Sequence, residues 1–189
     1  MSEKQRFPLE TALPIAEELC SMLAPACMRI EIAGSIRRRR SDVGDIELLC
    51  VPKQTIDSVF GTDDLDRVIS SHIAVGLLDY RTDVRGRRTY GPMNKLLRHV
   101  PSGIPLDVFS TTAENFGMSW VVRTGPAEWN KRMMQRFRDI GFRAHAYGGV
   151  HNRQGVELDC PDEATVFRLM NLPYVEPWDR TDHGPGIPR

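Results

Sequence analysis

The pattern of apolar and polar positions predicts helices and short strands in the first half of this 189-residue chain. Apolar residues from Leu9 to Leu23 recur at helical spacing and Pro25 follows the last turn, so an amphipathic helix is expected there. MRIEIAGS alternates as a strand does, DIELLCV is rich in strand-forming residues, and an arginine-rich turn joins them. DDLDRVISSHI has the pattern of a helix that Asp63 or Asp64 would cap.

The pattern changes in the second half of the chain. Between Asp79 and Ser110, short extended segments separated by Gly-Pro and Pro-Ser-Gly signals predict antiparallel strands linked by hairpins. Two helices, a small β unit over residues 142–160 and a last helix capped by Asp162 are expected after them. We therefore predict an α+β sheet domain over residues 1–112, a smaller domain over 113–180 and a loose tail over 181–189.

Charge is balanced over the whole chain but segregated along it. The 25 Lys and Arg residues equal the 25 Asp and Glu residues in number, so the formal net charge is zero. Residues 81–100 and 123–143 each hold six basic side chains, whereas residues 157–182 hold seven acidic ones. This segregation suits a protein that holds a polyanion against one face.

Targeting signals and cysteine chemistry narrow the class of protein. No stretch approaches the roughly 20 apolar residues of a membrane span, and MSEKQRF lacks the apolar core of a secretory signal. The four cysteines show no C-x-x-C spacing and have apolar neighbours, as reduced core residues do. A cytoplasmic protein without membrane contact is therefore expected.

Three carboxylates are the strongest candidates for chemistry. Residues two apart in a strand point to the same face, so Asp45 and Glu47 would lie side by side. Asp107 lies between apolar neighbours in IPLDVFS, and its side chain would join the pair from an adjacent strand. Ligands that are all oxygen favour Mg²⁺, which recruits phosphate oxygens to complete its shell. The alternative for a D-x-E pair alone is a solvated outer face of the sheet.

A basic segment just before these carboxylates adds phosphate chemistry. Gly34 would let the backbone approach a ligand closely, Ser35 offers a hydroxyl and an amide, and the arginines from Arg37 to Arg40 bind phosphates as planar forks. Phosphates and divalent ions meet in two-metal phosphoryl transfer, where metals activate the attacking hydroxyl and hold the leaving pyrophosphate. A solvated charge run or a localisation signal is the alternative for the arginines.

In combination these motifs resemble the nucleotidyltransferase superfamily, and within it the family X, DNA polymerase beta-like enzymes. The Gly-Ser-x-Arg-Arg…Gly-Asp-x-Asp pattern of the family is similar to the segment from Gly34 to Glu47, and Asp107 matches its third carboxylate. RTGPAEWNKRM resembles its thumb motif, VFRLMNLPYVEPWDR its carboxyl-terminal ending, and RFPLETALPIAEEL the start of its palm. The resemblance covers about residues 6 to 180. It implies a palm with a mixed or antiparallel sheet and flanking helices, followed by a small α+β thumb, as in the reduced viral members.

The resemblance also implies a role for each matching residue. Asp45, Glu47 and Asp107 would be the catalytic carboxylates and hold two Mg²⁺ ions, with Mn²⁺ as an alternative metal. The nucleotide would be bound by residues of both domains, namely Arg6, Gly34, Ser35, Arg38, Gly44, Thr124, Gly125 and Asn130. DNA would be bound by the basic helix of the thumb, through Lys131, Arg132, Arg136 and Arg138. The implied partners are a primer-template or gapped DNA and a dNTP, the protein acting as a monomer, without lyase activity and in the host cytoplasm if its source is a virus or phage.

Four departures from the family pattern qualify these roles. Glu47 replaces an aspartate, and Val122-Arg123 replaces an aromatic pair that would exclude ribonucleotides. Met134 stands where many members have a template-reading arginine, and Pro126 replaces a serine, from which a cis Gly125–Pro126 bond is predicted.

Three functions follow from the sequence. The first is a family X DNA polymerase acting in repair or gap filling. The second is a nucleotidyltransferase that acts without a template or on a small molecule, protein or RNA end. The third is an inactive DNA-binding protein that keeps the fold.

Overall fold

The chain forms two compact units, Met1–Ser110 and Thr111–Arg189, each with its own hydrophobic core. A computed structural model of the protein describes residues 5–53, 64–82, 85–145, 147 and 149–182. Asp63, one of the two residues expected to cap a helix, and residues 183–189 of the expected tail lie outside the described residues.

The first unit is a mixed sheet with helices packed against it, so the α+β prediction is confirmed. Its helices are α1 (Leu9–Leu23), α2 (Gly34–Arg37) and α3 (Asp64–Ala74). Its strands are β1 (Phe7–Pro8), β2 (Cys27–Ile32), β3 (Asp42–Val43), β4 (Ile46–Pro52), β5 (Leu78–Tyr80), β6 (Asn94–His99) and β7 (Pro105–Ser110).

Five of these strands make one sheet in the order β2-β4-β7-β6-β5. Strands β4 and β7 run parallel, while the other neighbouring pairs are antiparallel. Leu48, Leu49 and Cys50 of β4 are fully buried because this strand lies inside the sheet. The parallel pairing matters most for function, since it sets β4 beside β7 and so aligns the two acidic segments.

Helix α1 covers one face of this sheet. Ala12, Ala16, Leu19 and Leu23 are its buried residues, and their three- and four-residue spacing places them on one side of a helix. Pro14 is accommodated in the second turn, close to the helix start, where few backbone hydrogen bonds are lost. The apolar periodicity therefore predicted both the bounds and the buried face of α1 correctly.

The expected arginine-rich turn contains more structure than a turn. Residues Gly34–Arg37 form the short helix α2, and Asp42–Val43 form β3, which pairs antiparallel with β1. Asp45 is the residue before β4 rather than part of the strand, because the chain turns at Gly44 before the ladder begins. Strand pairing therefore positions Glu47 but not Asp45, although burial still alternates from Gly44 to Leu48, with Asp45 and Glu47 both half-buried.

The second unit combines helices with a three-stranded antiparallel sheet in the order β10-β9-β8. Its helices are α4 (Phe116–Thr124), α5 (Ala127–Asp139) and α6 (Glu163–Leu169), and its strands are β8 (Arg143–His145), β9 (Gly149–His151) and β10 (Glu157–Leu158). The expected cap of α6 is present, since Asp162 accepts a hydrogen bond from the Thr165 amide at 2.7 Å. Trp129, Met133 and Phe137 of α5 are fully buried in the core of this unit.

None of the helices in the described residues is both long and apolar enough to cross a membrane.

Candidate active site

Strand pairing brings two of the three candidate carboxylates to neighbouring positions. Glu47 on β4 is the register partner of Asp107 on β7. Side chains at paired positions of adjacent strands project from the same face of a sheet. Both residues are half-buried, whereas their strand neighbours Ile46, Leu48, Leu106 and Val108 are fully buried. The pairing that joins these segments therefore sets both acids on the sheet face opposite the core.

Asp45 lies at the edge of the same region, near the predicted phosphate-binding Arg6. The β1–β3 pairing places Arg6 beside Asp42, where its Nε donates to Asp42 Oδ2 at 2.6 Å and its Nη2 to the Asp42 carbonyl at 2.9 Å. The hydrogen bond from Arg6 lowers the pKa of Asp42, and the same bond raises the pKa of Arg6, with a smaller contribution from the charge of Asp45. Arg6 is half exposed, so a phosphate could approach it.

The Gly-Ser motif is closed onto β4 by a backbone hydrogen bond. The Ala33 amide donates to the Glu47 carbonyl at 2.8 Å, so the chain turns directly over the acidic strand. Gly34 has a φ of +63°, and a Cβ at this position would overlap the Glu47 carboxylate. Glycine is needed both for this backbone conformation and for the close approach. Glu47 therefore directs its carboxylate toward the Gly34-Ser35 turn.

The neighbouring residues of this motif differ in exposure. Gly44 is buried, Ser35 and Arg38 are half-buried, and Arg39 and Arg40 are exposed. Arg39 adopts a φ of +56°, a conformation that ends α2 and is uncommon outside glycine and asparagine. Short-range turns thus hold the basic segment against the acidic strand.

Asp107 has a partner that the sequence did not predict. The Nη2 of Arg81 donates a hydrogen bond to Asp107 Oδ1, and the Nε of Arg81 donates to the Leu97 carbonyl at 3.3 Å. Arg81 follows β5, two strands away from β7 in the sheet order. In the sequence it was one of six basic residues in an arginine-rich segment, and only the pairing of β5, β6 and β7 distinguishes it from the others.

The chemistry of the side chains suits a divalent metal ion, but their arrangement in this structure does not yet form a binding group. The donors are all carboxylate oxygens, which Mg²⁺ prefers, and Glu47 and Asp107 are register partners on adjacent strands. Within the described part of the chain, however, no three His, Cys, Asp or Glu side chains form a group arranged to hold a metal ion. Glu47 is directed toward Gly34 and Asp107 toward Arg81. Metal binding by Asp45, Glu47 and Asp107 therefore stays a prediction.

In the second unit, the Thr-Gly-Pro turn is packed against Asn130. Thr124 is fully buried, and the Nδ2 of Asn130 donates to the carbonyls of Val122 at 2.7 Å and Gly125 at 3.2 Å. Among the described residues nothing donates to the buried Oδ1 of Asn130. The Gly125–Pro126 bond is trans, so the prediction of a cis bond was wrong. Pro126 precedes α5 in an extended conformation, which suits a residue at the start of a helix.

The four cations expected to bind DNA fall into two groups. Arg132 and Arg136 are half-buried and donate to the backbone carbonyls of Thr181 and Met170, at 3.1 and 3.0 Å. Lys131 and Arg138 are exposed, and their contacts are within the turn of the helix that carries them. The first group holds the unit together, and the second remains accessible to a polyanion.

The structure shows what surrounds Arg123 and Met134, two of the residues that depart from the family pattern. The Arg123 guanidinium lies 4.9 Å from the centre of the Tyr147 ring, and its Nη2 donates to the Tyr147 hydroxyl. Met134 packs against the core of the second unit. The arginine that stands where an aromatic residue is usual is thus held by an aromatic residue from the loop after β8.

Comparison with known proteins agrees with the resemblance found in the sequence. Residues 119–181 match the family model described as DNA polymerase beta thumb. DNA polymerase lambda of Rattus norvegicus is 32% identical over 85 residues, which cover 40% of this chain and 15% of that protein. Residues 119–181 are therefore similar to the thumb of DNA polymerase beta, and the chain spans about 15% of the length of the DNA polymerase lambda that it matches.

Proposed function

We propose that this protein is a DNA-directed nucleotidyltransferase of the family X polymerase type. It transfers a nucleotide from a dNTP to a primer 3′-hydroxyl and releases pyrophosphate. The observation that carries the proposal is the register of Glu47 with Asp107, directly beneath the turn at Gly34. This arrangement sets acidic ligands and a phosphate-binding turn on one small area of one unit.

The acidic and basic residues have complementary roles in this reaction. Asp45, Glu47 and Asp107 would hold two Mg²⁺ ions, which when bound activate the primer hydroxyl and neutralise charge on the triphosphate. Asp107 would also accept the proton of that hydroxyl, directly or through water. Ser35, Arg38 and Arg6 would bind the triphosphate, since guanidinium groups hold phosphate oxygens by paired hydrogen bonds.

The second unit would bind the base pair and the DNA backbone. Asn130 would contact the minor-groove edge of the nucleotide base above the turn of Thr124 and Gly125. The minor-groove edge of a base offers mainly acceptors, so this contact would use the Nδ2 of Asn130, which in this structure donates to the carbonyls of Val122 and Gly125. The exposed Lys131 and Arg138 would neutralise backbone phosphates, with Arg132 and Arg136 adding charge behind them, so DNA binding should weaken steeply with salt. Gap filling during repair by a monomer is the setting we propose.

The decisive experiment compares Asp107→Asn with Asp79→Asn in primer extension. Asp79 carries the matched control because it lies on the same sheet and forms an exposed ion pair with Arg98. Asp107→Asn should reduce incorporation by at least about a thousandfold, since one negative metal ligand and the proton acceptor are lost together. DNA binding, measured by fluorescence anisotropy, should stay within a factor of about three in both variants. Full incorporation by Asp107→Asn would refute the proposed mechanism.

A second function is favoured by the contact between Arg123 and Tyr147. Val122 and Arg123 stand where the family resemblance implies an aromatic pair that rejects a ribose 2′-hydroxyl, so template-independent transfer or ribonucleotide transfer to another acceptor is the alternative. Extension assays with dNTPs and NTPs, on templated and single-stranded primers, separate the two. DNA binding without incorporation by the wild type, with either Mg²⁺ or Mn²⁺, would instead favour an inactive DNA-binding protein.

A further inference from the structure

Arg81 is anchored so that its charge faces Asp107. Its Nε donates to the Leu97 carbonyl on β6, which fixes the arm, and its Nη2 donates to Asp107 Oδ1 on β7. The two side chains are 29% and 16% exposed, so the contact is shielded from solvent on most sides. A guanidinium in this position is a permanent positive charge beside a carboxylate that is expected to bind metal.

A guanidinium and a divalent cation compete for the same carboxylate. Both bind the oxygen lone pairs, and their like charges repel at short range. Arg81 therefore occupies and neutralises the carboxylate of Asp107, whose register partner is Glu47. The backbone positions of Glu47 and Asp107 are adjacent, yet no metal-binding group is assembled among the described residues. The contact of Asp107 with Arg81 accounts for this difference.

Another arginine near the same sheet edge provides a contrast. Arg98 on β6 donates to Asp79 at 2.9 Å, but both side chains of this pair are about half exposed. Asp79 is the register partner of Arg98, so the pair is an ordinary cross-strand contact. Arg81 differs because the carboxylate that it holds belongs to the candidate catalytic set.

We propose that Arg81 is a positioning residue that occupies Asp107 in the metal-free protein and thereby sets the affinity of the site for divalent metal. Metal binding at Asp107 requires this ion pair to open. The consequence is a site that is stable without metal and that needs a higher metal concentration than the three carboxylates alone would need. The proposal rests on the proposed function of these carboxylates.

The test is a titration of the whole protein with Mn²⁺, without DNA or nucleotide, in which electron paramagnetic resonance measures free Mn²⁺. Arg81→Gln should bind Mn²⁺ roughly five to ten times more tightly than the wild type, the effect expected for removing one partly exposed charged hydrogen bond. Arg98→Gln is the matched control, because it removes the same charge from the same sheet and should change affinity by less than about twofold.

The expected gain in Mn²⁺ affinity on replacing Arg81 must depend on Asp107. In the background of Asp107→Asn, adding Arg81→Gln should change Mn²⁺ affinity no more than Arg98→Gln does. Arg81→Lys keeps the charge but cannot make both hydrogen bonds from one planar group, so its affinity should lie between those of the wild type and Arg81→Gln. It also provides the test if Arg81→Gln fails to fold, which thermal unfolding would reveal.

Equal Mn²⁺ affinity in the wild type, Arg81→Gln and Arg81→Lys would overturn the proposal, and so would a gain that persists in Asp107→Asn. Primer extension by the wild type separates this failure from failure of the proposed function. Extension with unchanged Mn²⁺ affinity in the Arg81 variants refutes only the role of Arg81. Absence of extension together with an Asp107-dependent gain in Mn²⁺ affinity refutes only the polymerase function.

Discussion

The two units each contain an arginine paired with a carboxylate, in opposite surroundings. In the first unit the Nη2 of Arg81 donates to Asp107 Oδ1 at a site that solvent partly reaches. In the second unit both Nη atoms of Arg180 donate to the two oxygens of Glu163, at 2.7 and 2.9 Å, and the side chains are 0% and 3% exposed. The same type of ion pair, an arginine with a carboxylate, therefore occurs at two very different degrees of burial.

The surroundings explain why only one of these pairs is suited to exchange a partner. The Arg180 guanidinium also donates to the Val175 carbonyl and lies between 5.3 and 5.6 Å from the ring centres of Trp129, Phe167 and Tyr174. The Tyr174 hydroxyl donates to Glu163 as well. Opening this pair would leave buried charges without compensation, whereas opening the Arg81 pair exposes both groups to water or metal. The buried pair fixes the carboxyl-terminal segment, whereas the partly exposed pair of Arg81 and Asp107 is the one that we propose can open.

The largest expected effect is the loss of the buried pair. Glu163→Gln should lower the free energy of unfolding of the second unit by about 3 to 5 kcal/mol, because Arg180 would remain buried without its counter-ion. Urea unfolding followed by tryptophan fluorescence measures this loss through the buried Trp129. Glu176→Gln is the control, since Glu176 is exposed in the same segment and its replacement should cost less than about 0.5 kcal/mol. A loss below about 1 kcal/mol in Glu163→Gln would contradict the structural role of the pair.

A smaller effect is expected at the turn that approaches Glu47. Gly34→Ala should cost about 1 to 2 kcal/mol for the left-handed backbone alone, and more because the new methyl group overlaps the Glu47 carboxylate. Gly76→Ala is matched to it, because Gly76 has a φ of +74° with nothing within 4 Å of an added Cβ. The difference between the two variants in urea unfolding measures the crowding by Glu47. Equal losses would show that the carboxylate does not lie against Gly34.

The pair of Arg81 and Asp107 should contribute little to stability. Arg81→Gln should change the free energy of unfolding of the first unit by about 1 kcal/mol or less, and Arg98→Gln by less than about 0.5 kcal/mol. Thermal and urea unfolding measure both. A loss for Arg81→Gln as large as that for Glu163→Gln would remove the contrast between the pairs and assign Arg81 a structural role.

The smallest expected effect is a pH dependence confined to the first unit. Burial lowers the pKa of His99, with a smaller opposing effect from Glu18, and its Nδ1 lies 2.8 Å from the Ser102 hydroxyl. Because the folded state binds the proton less readily than the unfolded state, stability is retained above the ordinary value near 6.5 and lost as the pH falls through the lowered pKa. Between pH 7.5 and 5.5, the wild type should lose more stability than His99→Gln. An identical pH dependence of thermal unfolding in the two proteins would contradict this origin.

Local sequence signals predicted the regular elements well. Helix α1 has the bounds that its apolar spacing indicates, and Asp162 caps α6 as its position before EATVFRL suggests. These features depend on interactions within one or two turns of chain, which the order of residues determines directly. The segment from Gly34 to Glu47 was less predictable, because α2 and β3 form where the chain packs against β1 and β4.

The candidate site shows the same division between local and long-range information. The sequence predicted Asp45, Glu47 and Asp107 as a set, through their spacing and a family resemblance, and the structure pairs Glu47 with Asp107 in register. It could not identify Arg81 within a run of similar arginines, since its partner is 26 residues away and on another strand. It also could not separate Arg132 and Arg136, which bind carbonyls of their own unit, from the exposed Lys131.

The sequence by itself determined most of the helices and strands, though not α2 and β3, and the kinds of side chain that the site contains. It did so because periodicity, capping and turn chemistry are properties of neighbouring residues. Only the tertiary structure decided which arginine lies against which carboxylate, and at what depth. Pairing partners and burial depend on contacts between strands and helices distant in the chain, and the strength of each charge interaction depends on that burial.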